Sequence, residues 1–128
     1  MKQLFIIRIA LIFGVAMFAA LTVFLRQSGN LPEPDAAALE RIGYMRYGVW
    51  GLSALAVAWA FLWKARAESA MSEQGAASSM ILAWAPGEGA AILGVVTHFL
   101  GGPIATMAFG ILAFIVVLLI ARIPTPSR

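Results

Sequence analysis

Glu88 is the residue best placed to do chemistry, because it stands where a carboxylate is hard to tolerate. It follows Pro86 and Gly87, precedes Gly89, and lies inside the apolar run ILAWAPGEGAAILGVV, Ile81 to Val96. Burial disfavours the ionised form of a carboxyl, so an acid with no cation beside it is expected to be neutral here. The neutral acid donates one hydrogen bond and accepts others, which suits a reversible proton carrier, whereas the ionised form needs a partner. Pro86 offers no amide proton to the carbonyl of Leu82 and its ring crowds that carbonyl. A kink just before Glu88 and a freed acceptor near the acid are therefore predicted. Pro86, Gly87, Glu88 and Gly89 form the candidate ion-binding set.

Arg8 is the candidate charge partner within the chain. A Glu88–Arg8 pair would hold two helices in register and give the acid a purely structural role. His98 has no second ligand nearby in sequence and reads as a residue of a helix end close to the membrane surface. The chain has no cysteine. It also lacks a Gly-rich phosphate loop, paired carboxylates, and a Ser/His/Asp set. The sequence thus predicts no enzyme, no catalytic residue, no cofactor and no metal site.

The elements that must position Glu88 are membrane helices. Of 128 residues, 62% are hydrophobic and only 12% charged, and the mean hydropathy is +0.90. Crossing a hydrocarbon core takes about 20 apolar residues as a helix. Four segments qualify, at about 4–25, 42–63, 78–100 and 103–121, which predicts an all-α, four-helix transmembrane bundle in one domain, 1–128. The first segment resembles a secretory signal only superficially. Its apolar core is too long, contains Arg8, and is not followed by a small-x-small cleavage site, so it reads as a retained helix.

Between the segments, RQSGNLPEPDAAALER (26–41) reads as a polar loop ending in a short amphipathic helix, and KARAESAMSEQGAASS (64–79) as a second polar loop. Gly101–Pro103 reads as a tight turn, and RIPTPSR (122–128) as a tail too short to fold.

Counted from Ser79, Glu88 lies about 13 Å into the membrane, near its midplane, and Arg8 about 6 Å in from the same face. An acid at that depth costs roughly 2.5–3.5 kcal/mol to insert. Small residues recur around it: Ala83, Gly87 and Ala91, then Ala90 and Gly94. Helix two supplies a similar flank at Gly51, Ala54 and Ala58. Such stripes let helices approach closely and are the predicted packing faces.

Lys2, Arg8, Lys64, Arg66, Arg122 and Arg128 fall on one side, and Arg26, Arg41 and Arg46 on the other with Glu33, Asp35 and Glu40. That bias predicts both termini in the cytoplasm, and the membrane expected is a bacterial inner membrane. The net charge of +3 is too small, on so apolar a chain, to suggest nucleic acid as a partner. The expected partners are the lipid bilayer and either further copies of the chain or other membrane subunits.

The stretch GEGAAILGVVTHFLGG (87–102) resembles the ion-carrying helix of the rotary ATPase proteolipids, the c subunit of F-type and the K subunit of V-type enzymes. Glu88, Ala91, Ile92, Leu93, Gly94, Val96, Phe99 and Leu100 carry the likeness. The resemblance implies that Glu88 is a proton- or sodium-binding carboxyl, with helix two as its partner helix. It covers about one span in four, and GVWGLSALAVAWAFLW in helix two has fewer glycines than the proteolipid partner helix. The general layout also resembles small four-helix bacterial membrane proteins with the same kind of third helix. A structural or accessory subunit of a larger membrane complex, with Glu88 in a packing or charge-pair role, is the alternative expectation.

Overall fold

The computed structural model describes residues 2–29 and 31–122, which form four helices: α1 (Lys2–Gln27), α2 (Ala36–Glu68), α3 (Glu73–Phe99) and α4 (Ile104–Ile120). No strand occurs among the described residues. Three of the helices are long and apolar enough to cross a membrane; α4, the most apolar of the four, is shorter at 17 residues. The tail beyond Arg122 lies outside the described residues.

The helix ends differ from the sequence expectation at α2 and α3. Residues 36–41 are not a separate amphipathic helix but the first turns of α2, started by Asp35, whose carboxylate accepts from the amide of Ala38 at 2.8 Å. At the other end KARAE stays helical to Glu68. These are good helix formers, and Lys64 and Glu68 face each other at 3.9 Å across one turn. The loop shrinks to residues 69–72, because the hydroxyl of Ser72 caps α3 by accepting from Gly75 at 3.0 Å.

The Gly101–Pro103 turn forms as expected. Gly101 has φ +112, the left-handed region where a side chain is strained. A Cβ on Gly102 would meet Thr97 and Ile42 within 3 Å.

α3 is the hub, packing on α2, α4 and α1, while α2 and α4 also touch and α1 rests chiefly on α3. The Arg26 guanidinium, at the end of α1, donates to the carbonyls of His98 and Phe99, at the end of α3. These two helices therefore run parallel. It also donates to Pro32, tying the 28–35 loop to the same corner. A cation on the last carbonyls of a helix satisfies orphan acceptors and favours the dipole. At the far end of α4, Trp84 in the middle of α3 donates its indole N–H to Ala121 at 2.8 Å.

α3 and α4 approach by omission of side chains. Gly87 lies against Val117, Gly94 against the Met107 backbone, and Gly110 against the carbonyl of Ala90. Ala83 and Ala91 are buried with them, so the predicted small-residue face of α3 is a helix interface. The predicted flank of α2 is not. Gly51, Ala54 and Ala58 lie exposed, and α2 instead buries Val49, Ser53, Ala56 and Ala60. Small residues occupy both faces of α2, and the face carrying Val49 gains more dispersion contact on burial.

Candidate functional site

Glu88 sits on the side of α3 that meets α1. α4 covers the face of α3 that carries Gly87 and Gly94, and α2 the face of Leu82 and Gly89, which leaves α1 for the remaining buried face, where Trp84 of the core cluster stands one helical turn from Glu88. Ile92, the next residue round the helix from that cluster, is 37% exposed. Glu88 thus occupies the margin of the α1–α3 seam and is half-buried. Its neighbours in sequence face two other helices: Gly87 packs on α4, and a Cβ on Gly89 would stand 3.8 Å from Leu52 of α2.

Its depth follows from the register. Arg26 and Phe99 meet, and the helices are parallel, so Glu88 and Val15, each eleven residues earlier, stand at about the same height. That is about 16 Å below the Arg26 corner.

Arg8 lies seven residues further back along α1, about 10 Å away along the axis. It donates instead to the carbonyl of Leu118 on α4 at 3.0 Å. The structure does not bring Arg8 and Glu88 together. Among the described residues Glu88 has no hydrogen bond and no ion pair. Nor are its oxygens among the fully enclosed polar atoms that lack a partner, so the half-buried carboxyl is not sealed inside the bundle.

The carbonyl freed by Pro86 has another owner. α3 runs unbroken through Pro86, and the indole N–H of Trp59 on α2 donates to Leu82 at 3.0 Å. The predicted spare acceptor beside the acid is therefore already satisfied from a different helix. Trp59→Phe is expected to cost about 1 kcal/mol in mixed-micelle unfolding. In a Pro86→Ala background the cost should fall towards zero, because the alanine amide restores the ordinary helical donor to Leu82. Equal costs in both backgrounds would show that the indole bond carries nothing.

His98 is held by the turn it helps to close, its Nδ1–H donating to the carbonyl of Gly102 at 2.9 Å. No group of three or more metal-ligating side chains gathers among the described residues. The sequence reading missed Arg26, Trp84 and Gly110. Gly110 was marked only by being a lone glycine inside an apolar span, and the partners of the other two lie far away in sequence.

Compared with family models, curated proteins and solved structures, the chain matches none.

Proposed function

We propose that this is a proteolipid-like integral membrane protein in which Glu88 reversibly binds a proton or a cation. In this reading all four helices cross the membrane, with both termini in the cytoplasm of a bacterial cell. The observation that carries the proposal is the state of Glu88: near mid-depth, half-buried at the α1–α3 seam, and without a partner among the described residues. A carboxyl buried for architecture would have its oxygens satisfied by the protein. One left unsatisfied there can exchange a proton or ion with whatever faces the seam. The neutral acid is compatible with lipid, and the ionised acid requires a cation from a partner, so occupancy and association are coupled. The resemblance of residues 87–102 to the proteolipid ion-carrying helix points the same way.

Dicyclohexylcarbodiimide, which reacts with protonated carboxyls in apolar surroundings, is expected to label Glu88 in intact membranes. Glu88→Gln should remove all labelling while leaving the protein assembled, and protection by sodium would identify sodium as the ion. An unlabelled wild-type protein would overturn the proposal.

The second reading is an accessory subunit whose Glu88 pairs with a base on another chain. It draws on the same absence of an internal partner, with Arg8 engaged at Leu118. It predicts that Glu88→Gln disperses a larger complex on blue-native electrophoresis.

A further inference from the structure

Because α1 leans on α3, it leaves a groove against α4 of about 370 Å³. Its walls include Ile12, Val15 and Ala16 on α1 and Ile111 and Ile115 on α4, and among the described residues Arg8 is the single polar side chain that lines it. From Arg8 to Ala16 the groove follows α1 for about 12 Å. The charged end is the end where α1 begins and α4 stops, since Arg8 bonds to Leu118 only two residues before the close of α4. The apolar part leads from there towards mid-depth. A charge near the membrane surface, followed by an apolar channel running inward, has the order of a phospholipid.

The charge is also unanswered. A guanidinium has five N–H donors, and Arg8 spends one on Leu118, with no carboxylate partner among the described residues. Glu68, an acid at the same end of the bundle, faces Lys64. Arg122, two residues past the close of α4, adds a second positive charge at that end of the helix.

We propose that the α1–α4 groove holds an anionic phospholipid, with its phosphate on the Arg8 guanidinium and one acyl chain along the groove. Basic pockets between membrane helices take anionic headgroups in this way, and the bidentate geometry of arginine suits phosphate oxygens. The lipid completes the thin attachment of α1 to the bundle, filling the space that α4 leaves. The inference rests on the membrane location in the proposed function but not on the chemistry of Glu88.

The test is native mass spectrometry of the purified full chain, equilibrated with phosphatidylglycerol and phosphatidylcholine of identical acyl chains. One phosphatidylglycerol should be retained, with a preference of roughly tenfold or more over phosphatidylcholine. Arg8→Gln should reduce the two lipids to near parity. Ile115→Trp keeps the charge but fills the groove, and should lose the retained lipid. Because Ile115 is 46% exposed, that variant still tests the proposal if Arg8→Gln fails to fold. Arg66→Gln, away from the groove, should bind as wild type, and so should Glu88→Gln, which keeps this result separable from the ion-binding one. Equal retention of both lipids by wild type, an undiminished preference in Arg8→Gln, displacement by inorganic phosphate, or a second protein chain in place of the lipid would each overturn it.

Discussion

Gly110→Val is expected to leave little folded protein. A Cβ at Gly110 would stand 2.5 Å from the carbonyl oxygen of Ala90 and 3.2 Å from its carbon. Those are backbone atoms of α3, which cannot rotate aside as a side-chain tip does, so α4 must move bodily. The same interface carries the approaches of Gly87 to Val117 and of Gly94 to Met107, and all three separate together. Lipid gives helices no hydrophobic drive to associate, and dispersion at close range is what holds them. Even Gly110→Ala should cost about 1–3 kcal/mol, and the branched valine more. The measurement is unfolding by dodecyl sulfate in mixed micelles, with Gly14→Val as the control, since a Cβ at Gly14 meets nothing within 4 Å. If both valine variants behave as wild type, α3 and α4 do not pack through these glycines.

The second large effect is expected at Trp84, which is fully buried in the cluster shared by all four helices. Trp84→Ala removes the largest fully enclosed side chain and opens a cavity, for which about 3–5 kcal/mol is usual in soluble cores. The lower end, about 3 kcal/mol, is expected here. Part of the usual cost reflects transfer from water, and in a bilayer the separated helices meet lipid instead. Trp84→Phe isolates the indole bond to Ala121 and should cost about 1 kcal/mol or less. The same unfolding assay reads both. A phenylalanine variant as damaged as the alanine one would assign the effect to the hydrogen bond and not to packing.

The sequence made some of this legible and concealed the rest, for physical reasons. Long apolar runs are a local property, so four helices follow from reading along the chain. Where a helix stops is less local: KARAE is polar enough for a loop and helix-favouring enough to extend α2, and the Lys64–Glu68 pair sides with the helix. The depth of Glu88 and Arg8 follows from counting residues, but counting does not say which way a side chain turns about the helix axis. Arg8 therefore looked available to Glu88, whereas it faces α4. Pro86 advertised an unsatisfied carbonyl at Leu82, yet its donor, Trp59, is brought there only by the packing of α2 on α3. On α2 itself, small residues on both faces left the buried side undetermined until α3 was in place.

The unequal helix lengths bear on the surroundings of the protein as well as its interior. At 1.5 Å per residue the 17 residues of α4 reach about 25 Å, while the 33 of α2 reach about 50 Å. With α4 as a crossing, a hydrocarbon layer of about 30 Å is too thick on that flank by roughly 5 Å. The bilayer must pinch beside α4, while α2 leans or projects beyond it. Each ångström of such mismatch costs a fraction of a kcal/mol. On the proposed four-span reading the bundle is thus matched to a thin membrane, and thickening the lipid would strain the α4 side before any other.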